Sequence, residues 1–70
     1  MTGRDSVTEW LKNHTYVEAR ILSYESGIAP ATLRQALCRM YGKGLLERVA
    51  YGIYKKAEWY DKLIDRYLDL

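Results

Sequence analysis

The residues best equipped for chemistry lie between positions 30 and 56: Thr32, Arg34, Gln35, Cys38, Arg39, Lys43, Arg48, Tyr51, Lys55 and Lys56. They do not assemble a catalyst. The chain has one His and one Cys, and it lacks a serine–histidine–acid grouping, a phosphate-cradling glycine loop and paired carboxylates in a cleft. Nucleophilic and acid–base catalysis therefore lack the partners they require. The same shortage of His and Cys leaves no metal cage to expect, and no cofactor is expected. What these residues can do is recognise a polyanion with a readable edge. Glutamine binds adenine through two hydrogen bonds, arginine binds guanine in the same way, and alanine or a threonine methyl meets the thymine methyl. Lysine and arginine nearby neutralise phosphates.

Charge supports that reading by its position. The net charge is only +2, yet residues 30–56 hold six basic side chains against the single acid Glu47, and residues 58–70 hold two against four. Clustering of one sign in one region is the footprint of a polyanion-binding surface. A solvated surface that happens to be basic has the same composition, so the elements that carry the charges must decide.

A helix over about 30–43 positions the central set. Pro30 suits a first helical turn, where a missing N–H does no harm. Leu33, Ala36, Leu37 and Met40 recur at helical spacing and face a core. The opposite side carries Ala31, Thr32, Gln35, Cys38, Arg39 and Gly42, with Arg34 on the flank, and no acid at all. A helix with nothing to bind usually exposes Glu and Lys there. Ala31, Thr32, Arg34, Gln35 and Arg39 are the expected base-contacting residues, and Gly44 stops the helix. Cys38 reads in two ways: as a thiolate favoured by Arg34 and Arg39, hence a redox-sensitive position, or as a small half-buried filler, which is the expectation.

Upstream, a short helix carrying Ile21, Leu22 and Tyr24 stops at Ser26-Gly27, and Ile28 plugs the corner before Pro30. Thr15-Tyr16-Val17 suits a short strand, while Thr15 with Glu18 forms a capping box that would start the helix at 16. Both readings stand. Ser6-Val7-Thr8-Glu9 is another capping box, and Val7, Trp10, Leu11 and His14 follow as one buried stripe, so helix 1 is expected over 6–13 with His14 at the core edge. Residues 1–5 have no pattern and are expected to fray.

Downstream, Leu45–Val49 and Ile53–Lys56 are strand-like runs around Ala50-Tyr51-Gly52, a hairpin with glycine in its turn. Arg48, Tyr51, Lys55 and Lys56, with Lys43 at the preceding helix end, are expected to meet phosphates. Lysine on a sheet edge also discourages edge pairing, so an ordinary small sheet explains some of them. A last helix over 57–70 spreads Trp59, Tyr60, Leu63, Ile64, Tyr67, Leu68 and Leu70 over about half its circumference. Docking on its own domain needs only about a 100° stripe, so Trp59, Tyr60, Leu63, Ile64, Tyr67 and Leu70 are the expected contact with a second copy. Asp61, Asp65 and Asp69 on its other side would keep this helix off phosphates.

Seventy residues make a single domain, and so small a core favours dimerisation. Lone Cys38 excludes an internal disulfide and suits an intracellular, cytoplasmic setting. No segment has the apolar length of a membrane span, and no small-molecule ligand is evident. The expected class is mainly α with a small β-hairpin, an α+β arrangement.

The run from Gly27-Ile28 and Pro30-Ala31-Thr32-Leu33-Arg34 through Gly44-Leu45-Leu46-Glu47-Arg48-Val49 to Gly52-Ile53-Tyr54, within positions 15–56, resembles the winged helix-turn-helix regulators. The chain is similar to small regulators of archaeal viruses and plasmids, and its GLLERV ending to the N-terminal winged helix of antitoxins from abortive-infection systems. The resemblance implies a DNA-binding transcriptional regulator whose helix 30–43 enters the major groove through Ala31, Thr32, Arg34, Gln35 and Arg39. It implies a wing that touches backbone or minor groove through Arg48, Tyr51 and Lys55. Ser26 departs from the pattern, where an apolar residue is usual, and the wing is very short. The alternative reading is a winged helix used for protein contact, docking an acidic partner through the same basic face.

Overall fold

The computed structural model describes residues 2–68. Its elements are α1 (Gly3–Leu11), β1 (Tyr16–Glu18), α2 (Ala19–Ser26), α3 (Pro30–Gly42), β2 (Leu46–Ala50), β3 (Ile53–Lys56) and α4 (Tyr60–Leu68). The three strands form one antiparallel sheet in the order β1-β3-β2. The architecture is α+β, with four helices gathered on a three-stranded sheet.

Helix α1 starts about one turn earlier than the capping box at Ser6 predicts. Thr2 is the N-cap, its Oγ1 accepting from the Asp5 amide at 3.1 Å. The expected cap, Ser6 with Glu9, is not used, and packing selects the earlier start. Gly3 lies so close to α3 that a Cβ there would sit 3.2 Å from the Thr32 carbonyl oxygen and 3.4 Å from the Ala36 Cβ. Residues 3–5 are thus helical, not frayed. Ser6 becomes an interior residue, 3 % exposed, with no hydrogen-bond partner for its hydroxyl. The buried stripe is Val7 and Leu11. His14 falls beyond the helix end and is exposed; its ring stacks on Trp10 at 3.8 Å and its Nδ1 lies 3.0 Å from the Trp10 carbonyl oxygen.

Residues 16–18 form the strand, not the start of a helix. Tyr16 pairs with Lys55, Val17 with Tyr54 and Glu18 with Ile53. Val17 is buried, so its β-branched side chain serves the core from a pleated surface. Helix α2 buries Ala19 and Leu22 but leaves Ile21 and Tyr24 exposed. Gly27 closes it at φ +77°, a value that costs glycine nothing. Ser26 is exposed and its Oγ accepts from the Ile28 amide at 3.2 Å, while the Ser23 hydroxyl donates to the Ile28 carbonyl at 2.6 Å. Ile28 packs against the core. Hydrogen bonds hold this turn where the family resemblance leads one to expect an apolar contact.

Leu33, Ala36, Leu37 and Met40 are the four buried residues of α3. They meet Val7 and Leu11 of α1, Leu22 of α2, Leu45 and Leu46, Tyr54 and Tyr60 in one cluster. Gly44 turns the chain at φ +82°, and the Leu45 amide donates back to the Met40 carbonyl at 3.0 Å. In the hairpin, Arg48 pairs with Tyr54 but Ala50 pairs with Ile53, so Val49 forms a β-bulge beside the Tyr51-Gly52 turn. Side chains alternate across the sheet. Buried Val17, Leu46 and Tyr54 mark the inner face, which places Arg48 and Lys56 on that side and Tyr16, Glu47 and Lys55 on the outer one.

Helix α4 starts later than the apolar pattern predicts. Ala57–Trp59 form a turn, and the helix opens at Tyr60. Tyr60 is buried, which holds its phenol above the ordinary tyrosine range, with Asp61 adding to the shift. Leu63, Ile64 and Tyr67 pack half-buried against the core. Trp59 and Leu68 remain 54 % and 38 % exposed. Leu70 and Asp69 lie outside the described residues. Among the described residues no helix is long and apolar enough to cross a membrane.

Candidate nucleic-acid interface

Anchoring one side of α3 by four core residues leaves the remaining side chains fanned over the opposite arc, 100° per residue. Ala31, Thr32, Arg34, Gln35, Cys38 and Arg39 are all exposed on it. Cys38 is an exposed free thiol and not a half-buried filler. The arc drops into a groove on either flank, and the two grooves have different walls.

On the hairpin side, Arg34 and Cys38 share with Arg48, Tyr51 and Tyr54 a groove of about 410 Å³ that Glu18 and Arg20 also line. Arg48 is held in place by aromatic rings. Its guanidinium lies 5.3 Å from the Tyr41 ring and 5.7 Å from the Tyr54 ring, and Nη2 donates to the Tyr54 hydroxyl at 3.4 Å. The Tyr54 hydrogen bond pushes the Arg48 pKa still higher. Cation–π contact of this kind orients a planar guanidinium without neutralising it. Tyr51 stands fully exposed at the turn.

On the α1 side, Thr32, Gln35 and Arg39 share a groove of about 370 Å³ with Thr2, Arg4 and Tyr67. Arg4 lies 5.8 Å from the centre of the Tyr67 ring and 3.9 Å from a carboxylate oxygen of Asp5. Among the described residues, Arg20, Arg34, Arg39 and Lys43 make no ion pair, so their charge remains available to a ligand.

The predicted set is therefore brought together in part. Arg34, Arg48 and Tyr51 line one groove, and Thr32, Gln35 and Arg39 the other, with Ala31 on the exposed arc between them. Lys55 points from the outer face of the sheet and lies 3.6 Å from Glu47. Lys56 turns toward the Tyr60 ring, 5.8 Å away. Lys43 lies beyond the end of α3, beside Leu63 and Arg66 of α4. Two arginines escaped the sequence reading. Arg20 had no linear spacing to connect it with Arg34 and Arg48, because the order of the strands makes that connection. Arg4 was signalled only by the Thr2-to-Asp5 capping pattern, which makes residues 3–5 helical.

No family model, curated protein or solved structure matches the chain.

Proposed function

We propose that this protein binds double-stranded DNA sequence-specifically, as a winged helix-turn-helix transcriptional regulator acting as a homodimer. The observation that carries the reading is the exposed arc of α3, free of acids and bordered on both flanks by arginine-lined grooves. The order of elements, helix, strand, helix, helix, hairpin, helix, supports the winged arrangement. In this reading α3 lies in the major groove, where Gln35, Arg39 and Thr32 meet base edges. Arg34 and Arg48, joined by Arg20, take phosphates beside it, and Arg4 does so on the far flank. Trp59, Ile64 and Leu68 supply the apolar strip through which α4 meets a second copy, so that two half-sites about one helical turn apart are read together.

Selection of bound duplexes from a random pool tests this directly. A palindromic consensus supports both the base reading and the dimer. Absence of binding to any duplex at low salt overturns the proposal and favours the alternative, an acidic protein partner on the same face.

A further inference from the structure

The groove on the α1 side of α3 takes one of its walls from α4. Tyr67 lines it together with Thr32, Gln35 and Arg39, and also borders a smaller dimple of about 150 Å³ with Lys43, Leu45, Leu63 and Arg66. Helical periodicity accounts for its place. Tyr60, Leu63, Ile64 and Tyr67 recur at i, i+3, i+4 and i+7, which puts all four on the side of α4 that packs on the core. Tyr67 is the last of them, so its ring stands at the rim, where the core ends and the groove begins.

The second observation concerns Arg4. It follows Gly3, whose missing side chain lets the first turn of α1 lie against Thr32 and Ala36. The Arg4 guanidinium lies 5.8 Å from the centre of the Tyr67 ring, and its side chain is only 36 % exposed, low for an arginine. The competing contact is poor. Asp5 is the next residue on the helix, and neighbours at that spacing do not face each other. Its carboxylate stands 3.9 Å away and is itself largely in solvent, a pair that fixes little. The tyrosine ring therefore sets the direction of the guanidinium. A ring face orients that plane while leaving its charge and its N–H donors unspent. The hairpin side uses the same device, with Tyr41 and Tyr54 about Arg48. Each groove thus has an arginine, from an element other than α3, that a tyrosine ring carries.

We propose that Tyr67 is a positioning residue for DNA binding, holding Arg4 toward the phosphate beside the bases that Gln35 and Thr32 meet, a role that rests on the DNA-binding reading. An arginine left loose on the first turn of a helix loses its rotamer freedom on contact with the duplex. One already held by a ring has lost it beforehand, so less is forfeited on binding. Helix α4 then serves DNA binding through its inner side, separately from any contact its outer side makes with a second copy.

The test is a double-mutant cycle on the full chain, with Tyr67→Leu, Arg4→Ala and both together, read as affinity for one duplex recovered by the random-pool selection. Tyr67→Leu keeps apolar bulk and removes the ring. It should weaken binding about two- to fivefold, the worth of one cation–π contact at a partly exposed site. Tyr67→Phe keeps the ring and should retain the affinity that Tyr67→Leu loses. In the Arg4→Ala background, Tyr67→Leu should bring no further loss. An equal loss in both backgrounds would make Tyr67 a support of the fold only and overturn the proposal, as would full affinity in Tyr67→Leu. A measurement on the wild type covers the case in which Tyr67→Leu does not fold. The Arg4 side-chain proton resonances should be displaced by the ring current of Tyr67 in the free protein, and random-coil positions would overturn the proposal. A wild type that binds no duplex would overturn the DNA-binding reading and this role with it, a failure distinct from a wild type and a Tyr67→Leu variant that bind equally well.

Discussion

The groove on the hairpin side of α3 carries three guanidiniums, from Arg20, Arg34 and Arg48, whereas the groove on the α1 side carries two, from Arg4 and Arg39, with the Gln35 amide and the Thr32 hydroxyl between them. Both are walled by the same helix, yet they are suited to different tasks. Guanidiniums alone fit phosphate oxygens, which are the same at every base pair. An amide with both a donor and an acceptor fits a base edge, which is not. The walls differ to match. Rings hold Arg48 on a sheet, while Gln35 and Thr32 stand on the helix itself, Thr32 against a glycine that lets α1 come close. In the proposed reading, one flank of α3 holds the duplex and the other reads it.

Five substitutions break or sharpen that contrast, in falling order of effect. Leu37→Ala removes a fully buried side chain from beneath α3 and should cost about 3 kcal/mol. Both grooves should be lost together, with thermal unfolding and DNA titration failing in parallel; loss of one alone would show that the helix is not their common support. Arg34→Ala and Arg48→Ala should weaken binding to every duplex, each lowering the slope of log affinity against log salt by about 0.9. Gln35→Ala should leave that slope alone and relax preference at one base position, worth about 1–3 kcal/mol. A change of slope instead would move Gln35 to the holding flank. Lys55→Ala, from the outer face of the sheet, should change affinity by less than about 0.5 kcal/mol, since an exposed lysine already beside Glu47 brings little charge to the interface; a loss as large as that of Arg48→Ala would put the outer face of the sheet in the interface.

What was legible in the sequence depended on whether a single period decided it. The four core residues of α3 recur at helical spacing, and Gly27 and Gly44 end helices by a conformation few other residues take. Ser6 reads as a cap because Glu9 follows at the right spacing, and only contact of Gly3 with Thr32 and Ala36, far along the chain, moves the helix start to Thr2. Ile21 and Tyr24 read as apolar without being buried, since α2 is short and its inner face is filled by Ala19 and Leu22. The exposed arc of α3 could be read from its wheel, but its division into two grooves could not. That division depends on which elements stand on each side, and Arg20 and Arg4 join it through strand order and helix packing.

The bulge at Val49 has a consequence for life at high concentration. Strand β2 is an edge of the sheet, and an unpaired edge invites the same edge of another molecule to add to it. An extra residue there interrupts the regular spacing of amides and carbonyls and increases the local twist. Deleting Val49 would leave a straighter, more regular edge beside the exposed turn, a template for strand addition. The irregularity that looks like a flaw in the hairpin makes that edge a poorer template for strand addition.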